Sequence, residues 1–447
     1  MTKTISRSSA AAKKRPQGNA AKKSAKPAAK PSKSASKSPA RSAKPVQKKR
    51  PAAKTVAPKP AKPKAKPVEK APKPAPKDVK PKPPEKGQPL ALRPIAVATV
   101  VRKPLSPAHK PISIPPARVK VVSKVKPLPM EFMMELAKSV KDAVVPGFNT
   151  VRGRETVGNA TSGDVTFQID KVAERALLQF LKDSKLPVAY YSEDSGYTTF
   201  ASGQPQYLLI VDPIDGTRAA KNGFEWCCVS VASTRVIERP CMGDVDTACV
   251  LEIANDRAFY AERGKGAKII TAGVHKKPKL NRNHDLESIS WAMTVPARPA
   301  ELIFPTAAKL IDLSSLKGGF FACNSTSYSL TRLLTNQLDA CVDFANRFLR
   351  DIPSAVQDHF INAGRGATLG IAPYDIAAAL LIAEESGAIV TDALGKSFKD
   401  VLLLDSSATN HRSLIAAANK ELYGKLWSFF DLRIKQFEQL LTRKITN

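Results

Sequence analysis

Two aspartates three residues apart, Asp212 and Asp215, end the stretch YLLIVDPID and are followed by GTRAAKNG. Carboxylates this close repel each other unless a divalent cation lies between them, and hard oxygen donors of this kind suit Mg²⁺. Pro213 stiffens the turn, and Gly216 lets backbone approach a ligand with no Cβ in the way. A helix starting at Thr217 would aim its N–H groups at the same place, which favours a phosphate. The bland alternative is turn chemistry between a strand and a helix, with Asp215 as a cap.

What positions these acids is an apolar run, Leu208 to Val211, that reads as a strand delivering carboxylates to its end. The same pattern occurs upstream, where Val188 to Tyr191 runs into Glu193 and Asp194. Before it, Val165 to Ile169 reads as a short strand. From Asp170 the apolar positions Val172, Ala176, Leu177, Phe180 and Leu181 form a helix face. Asp170 then sits at a helix start with Glu174 one turn on, where a capping Asp and an ordinary helical Glu are the simpler reading. Near the end, PYDIAAALLIAEESGAIVTD gives a helix with Asp375 in its first turn, a stop at Gly387 and a strand. Between these stretches, FEWCCVSVASTRVIE and DTACVLEIANDRAFYAERGKGAK predict an antiparallel meander with a turn at Asn255 and Asp256. KGGFFACNSTSYSLTRLLTNQLDACVDF predicts strand, helix and strand. Helices are expected at both ends of this part, over PMEFMMELAKSVKDAV and KLWSFFDLRIKQFEQLLTRK.

Charge divides the chain. Residues 1–128 hold 35 of the 71 Lys and Arg against three acids, Glu69, Asp78 and Glu85, so the remainder has 36 of each sign. The whole formal net charge of +32 therefore belongs to the first part. That part is Lys, Ala, Pro and Ser, too proline-rich for helices and too poor in large apolar residues to collapse, and it predicts a disordered polycationic tail. Its chemistry suits nonspecific attraction to nucleic acid or another polyanion, or simply solubilises. Residues 129–447 then form the folded domain. The start of the chain lacks the apolar core of a secretory signal, and no apolar run approaches membrane-spanning length. Six cysteines without a CxxC pair suggest reduced, buried thiols and a cytoplasmic location.

Taken in order, SEDSG, VDPIDGTRAAKNG and PYDIAAALLIAEESGAIVTD resemble the inositol monophosphatase superfamily of Mg²⁺-dependent, lithium-sensitive phosphatases. That superfamily includes fructose-1,6-bisphosphatases and phosphatases of 3′-phosphoadenylates. An aspartyl-phosphate phosphatase signature also ends in DGT, but it needs its acids two apart. The resemblance covers roughly Met130 to Leu422 and implies an α/β fold, a layered αβαβα sandwich, in a domain that commonly forms homodimers. It implies metal ligation by Glu193, Asp212, the main-chain carbonyl of Ile214, Asp215 and Asp375, holding two or three Mg²⁺. Glu193 and Thr217, the latter oriented by Asp170, would position the attacking water. Asp215, Gly216, Thr217, Ser325 and Thr326 would contact substrate.

The implied activity is hydrolysis of an inositol monophosphate or a related phosphorylated sugar or polyol. Alternatives are a fructose-1,6-bisphosphatase or 3′-phosphoadenosine 5′-phosphate phosphatase, or a polyanion-binding protein with a vestigial phosphatase fold. The chain departs from the pattern in Ser192 and Asp194 for Gly and Glu, Tyr374 for Trp, and one extra residue in VTFQID. Thr368 stands where inositol-phosphate enzymes carry a Glu. A long segment from Phe344 to Ala367 brings Arg347, Arg350 and Arg365, which would either bind a second phosphate or be solvated loop charge.

Overall fold

The computed structural model describes residues 124–159 and 165–446; the expected basic tail lies outside the described residues up to 123. The chain starts with helix α1 (Met130–Val144), the short hairpin β1 (Thr156–Asn159) and β2 (Val165–Phe167), and helix α2 (Gln168–Ser184). Strands β3 (Val188–Ser192), β4 (Gly196–Thr199) and β5 (Tyr207–Asp215) lead into the one-turn helix α3 (Thr217–Ala220). A meander follows of β6 (Cys228–Thr234), β7 (Thr247–Glu252), β8 (Arg257–Glu262), β9 (Gly266–Thr271) and β10 (Val274–Lys276). The second half runs β11 (Ser290–Met293), α4 (Ala300–Ser314), β12 (Gly319–Phe321), α5 (Thr326–Leu334) and β13 (Ala340–Asp343). It ends with α6 (Ala345–Asp351), α7 (Pro353–Ala363), α8 (Pro373–Glu385), β14 (Ile389–Thr391), β15 (Leu414–Ala417) and α9 (Lys420–Thr446).

These elements build an eight-stranded sheet, ordered β10-β9-β8-β7-β6-β5-β3-β4, and a five-stranded sheet, ordered β12-β11-β13-β15-β14. In the larger sheet only β3 and β5 run parallel, as their apolar run-ins to acids require if both deliver carboxylates to one edge. Both faces of this sheet are covered, which is why its strands read as continuous apolar runs. Val188, Tyr190, Leu209, Val211, Val229 and Val231 turn to the layer of α1 and α2. Their neighbours Ala189, Tyr191, Leu208, Ile210, Cys228 and Ala232 turn to α5 and α8. The smaller sheet packs its far side on α4, α6, α7 and α9 around Trp291, Phe344, Phe348 and Phe430. The layers are therefore αβαβα. Helix α8 is sandwiched, so Ala377 to Ala383 are buried all round and the stripe expected from Ile376, Leu380 and Leu381 is one part of a helix with no wet face.

Three expectations are refined. Helix α2 starts at Gln168, two residues before Asp170, and places that Asp in its first turn. The segment Phe344 to Ala367 is largely helical, forming α6 and α7. All six cysteines are free thiols, and Cys241 alone is partly exposed rather than buried. Among the described residues, no helix is long and apolar enough to cross a membrane.

Candidate active site

Strand β5 carries the two central acids, and a bulge lets them share a side. Asp212 pairs with Ser230 and Asp215 with Cys228, so two residues on β5, Pro213 and Ile214, stand opposite the single Val229 on β6. In a regular strand, residues three apart point to opposite faces; the extra residue reverses that parity. The turn is closed by the Ile214 N–H, which donates to Asp212 Oδ1 at 3.0 Å. Gly216 follows with φ of 95°, where any Cβ would lie 2.5 Å from the Trp226 carbonyl oxygen, so only glycine fits.

Thr217, the first residue of α3, places its hydroxyl 3.0 Å from Asp170 Oδ1 and 3.1 Å from the Ile214 carbonyl oxygen. Asp170 does two jobs at once: Oδ2 accepts the Phe167 N–H at 2.7 Å, capping α2, while Oδ1 faces Thr217. The capping expectation and the site expectation thus describe the two oxygens of one carboxyl group. A cavity of about 50 Å³ lies against Asp170, Glu174, Glu193, Asp212, Ile214 and Thr217.

From the other side come the helices between the sheets. The N-terminus of α5 grips Asp215, whose Oδ2 accepts the Ser327 N–H at 2.6 Å. Ser325 is the N-cap of α5: it is buried and its Oγ accepts from the Tyr328 N–H at 3.1 Å. Asn324, at φ of 59°, turns the chain into that cap. In α8, Asp375 Oδ2 accepts the Ala372 N–H at 3.2 Å, again a cap, and the Asp375 carbonyl accepts from Ser327 Oγ at 2.9 Å.

Comparison with known proteins fits this geometry. The inositol monophosphatase family model matches residues 129–434. The chain belongs to the inositol monophosphatase family. It is 27% identical over 292 residues to the fructose-1,6-bisphosphatase/inositol-1-monophosphatase of Thermococcus kodakarensis, covering 65% of this chain and 93% of that one. It is 29% identical over 234 residues to the Nus factor SuhB of Vibrio cholerae, covering 52% and 74%. A bifunctional NADP phosphatase/NAD kinase of Methanococcus maripaludis is 25% identical over 315 residues, and the chain spans 49% of its length. Among solved structures, the MJ0109 gene product, an inositol monophosphatase–fructose 1,6-bisphosphatase, matches in fold with a TM-score of 0.50 at 20% identity, covering 67% of this chain and 98% of that one.

In this inositol monophosphatase family member the acids strain one another. Asp212 is pushed well above the usual carboxylate range, first by burial and then by the charges of Asp215, Asp375 and Glu193. Asp375 is raised well above its range by burial, Glu193 and Asp215. Burial also raises Asp215, partly offset by hydrogen bonds from Ser327, Ser325 and Thr326. Tyr191, pushed up to about 12 by burial, and Tyr374, raised by burial and by Asp375, pack with ring centroids 5.0 Å apart beside these acids. Their apolar bulk keeps the local dielectric low, which sharpens each charge interaction.

The donor set fits Mg²⁺: every group is a hard oxygen, and clustered buried acids are relieved by a cation. Among the described residues, no three His, Cys, Asp or Glu side chains are already drawn into a metal-holding arrangement.

The structure brings Asp170, Glu193, Asp212, Ile214, Asp215, Gly216, Thr217 and Asp375 into one neighbourhood. Ser325 and Thr326 approach it through Asp215. Two of the three arginines have partners within the chain. Arg347 is buried and tied to Asp351 at 3.0 Å, Asp431 at 2.6 Å and the Ala393 carbonyl at 3.0 Å, so it fastens α6 to α9. Arg350 bonds Asn346 and the His411 carbonyl, both at 3.2 Å. Sequence reasoning missed Ser327 and Tyr191; the run NSTSYS signalled a hydroxyl-rich helix start, but nothing marked Tyr191, one apolar residue among several in β3.

Proposed function

We propose that this chain is a Mg²⁺-dependent phosphomonoesterase that hydrolyses inositol monophosphate or a related sugar phosphate by direct attack of water. The observation that carries this reading is the set of mutually strained acids, Asp212, Asp215 and Asp375 with Glu193, beside the Thr217–Asp170 hydrogen bond. Two or three Mg²⁺ held by Glu193, Asp212, the Ile214 carbonyl, Asp215 and Asp375 would polarise the ester and acidify a bound water. The protein's own groups orient the reaction. Asp170 fixes Thr217 Oγ, and Thr217 with Glu193 holds the water in line with phosphorus. The α5 N-terminus, through Ser327, keeps one Asp215 oxygen turned inward. Gly216 leaves room for phosphate oxygens at the backbone. The water oxygen bonds to phosphorus as the ester P–O bond breaks, giving inorganic phosphate and a free alcohol with no covalent enzyme intermediate.

The relatives' names favour a second reading, a bisphosphate or nucleotide substrate, and Thr368 in place of the family's Glu removes one expected contact to an inositol ring. Phosphate release measured across inositol 1-phosphate, fructose 1,6-bisphosphate, 3′-phosphoadenosine 5′-phosphate and NADP tests both. Preference for the first supports inositol phosphate; release from none of them with Mg²⁺ present removes the phosphatase reading. We also propose that the domain pairs as a homodimer and that the basic tail binds polyanions. A monomer in sedimentation at micromolar concentration would eliminate the former.

A further inference from the structure

Glu174 is not the solvent-facing helical residue its place in α2 suggests. Only 6% of its surface is exposed. Its Oε1 accepts the hydroxyls of Tyr190 at 3.2 Å, Ser192 at 2.8 Å and Ser195. Its Oε2 is buried with no hydrogen-bond partner among the described residues, and the side chain lines the cavity shared by Glu193, Asp170 and Thr217.

The hydroxyls are informative by position. Ser192 and Ser195 bracket Glu193 and Asp194 in the turn from β3 to β4, and Ser192 Oγ also accepts the Ser195 N–H at 3.1 Å. Glu174 therefore staples both ends of the loop that presents Glu193. The register explains how: Tyr190 and Ser192 stand on the face of β3 that meets α2, whereas Tyr191 and Glu193 alternate toward the acids. Asp194, which lines the cavity together with Glu193, is separately held by the Thr166 hydroxyl at 3.0 Å and Lys171 at 3.5 Å. Buried carboxyl oxygens are seldom left without a donor, and an unpartnered one in a cavity wall marks a place for a water.

We propose that Glu174 is a positioning residue of the site: Oε1 clamps the turn carrying Glu193, and Oε2 accepts a hydrogen bond from a water in the cavity. This rests on the phosphatase reading above for its kinetic consequence but not for its binding consequence. In the full chain, Mn²⁺ binding by calorimetry and the Mg²⁺ dependence of phosphate release are compared for wild type, Glu174→Ala, Glu174→Gln and Ser195→Ala. Glu174→Gln can keep an acceptor on the hydroxyls while placing an NH₂ where Oε2 stood.

Loss of an orienting group around a metal site costs roughly 10- to 100-fold in affinity or activity. Glu174→Ala should weaken Mn²⁺ binding and raise the half-activating Mg²⁺ concentration by about that factor, with substrate KM at saturating Mg²⁺ little changed. Ser195→Ala, on an exposed residue, should give a smaller shift in the same direction. Glu174→Gln should restore metal binding but keep a lowered kcat. Wild-type metal binding in both Glu174→Ala and Ser195→Ala overturns the clamp; full kcat in Glu174→Gln overturns the water-holding role. If Glu174→Ala does not fold, Ser195→Ala and Glu174→Gln decide. A wild type that binds Mn²⁺ but releases no phosphate defeats the phosphatase reading, and the calorimetric comparison still judges the clamp.

Discussion

Helix α5 meets Asp215 at one end and is anchored at the other by Arg332, so the anchor offers a way to disturb the site from a distance. Arg332 is buried and its Nη2 bonds Glu252 Oε1 on β7. Nη1 donates to Gln337 Oε1 at 2.9 Å, and the guanidinium lies 4.1 Å from the Tyr328 ring centroid. Removing one partner of a buried ion pair leaves an uncompensated charge and costs about 3–5 kcal/mol. In Arg332→Met, Glu252 still has Arg257 at 3.4 Å and Asn255 at 3.1 Å, which places this variant near the lower end, about 3 kcal/mol. In Glu252→Gln the guanidinium keeps only neutral partners and aromatic faces, so the cost rises to about 4–5 kcal/mol. A domain of this size shifts Tm by roughly 2–4 °C per kcal/mol, so the two variants should melt roughly 6–20 °C lower. The double variant should lose less than the sum by about 1.5–3 kcal/mol, because neither charge is then stranded. Thermal and urea unfolding of the four proteins, with kcat measured on each, is the assay. Singles that cost under about 1 kcal/mol, or a double equal to their sum, would show that the pair does not anchor α5.

Other outcomes follow from the same geometry. Thr217→Val removes the hydroxyl facing Asp170 and should lower kcat by about 100-fold or more with stability changed by about 1 kcal/mol; an unchanged kcat contradicts the role of Thr217 in holding the water. The raised values of Asp212, Asp215 and Asp375 mean that folding without metal favours their neutral forms more than the unfolded chain does. Their contribution to stability is complete below the unfolded carboxylate range near about 4 and is lost as pH rises through the raised folded values. Added Mg²⁺ should therefore raise Tm more at pH 8 than at pH 5. His411, held down to about 4 by burial, acts in the opposite sense below about 6.5, so melting is compared with and without Mg²⁺ at each pH. A Mg²⁺ effect that shrinks with pH would refute the assignment. Deleting residues 1–123 should leave turnover of a small substrate within about twofold and abolish salt-sensitive retention on DNA; lost turnover would make the tail part of the catalytic unit.

The sequence made the acids visible because they sit where apolar runs stop. Asp212 stops the apolar run inside β5 and Glu193 directly follows β3, two strands buried on both faces, and that continuous hydrophobicity is a strong local signal. The meander and the strand–helix–strand unit around α5 were legible for the same reason, since period and turn residues agree. Read from local pattern, Asp170 and Asp375 are plain caps, and each is one; their site roles came from the family resemblance, and the fold adds that Asp170 Oδ1 meets the Thr217 hydroxyl. Glu174 was unreadable because a helical Glu beside an apolar face is ordinary, and its burial depends on hydroxyls from a strand 16 to 21 residues later. Arg347 and Arg350 misled in the other direction: their pairing with Asp431 and the His411 carbonyl joins parts of the chain 84 and 61 residues apart, which no local pattern encodes.

The most direct test is calorimetric titration of Mg²⁺ or Mn²⁺ into wild type and Asp212→Asn, with phosphate release measured on the same samples. The account predicts that the variant keeps its fold, melts no lower than wild type without metal because Asn has no ionised form for burial and the neighbouring acids to disfavour, and loses both tight metal binding and phosphate release. A variant that still binds metal and turns over substrate as wild type does would contradict it.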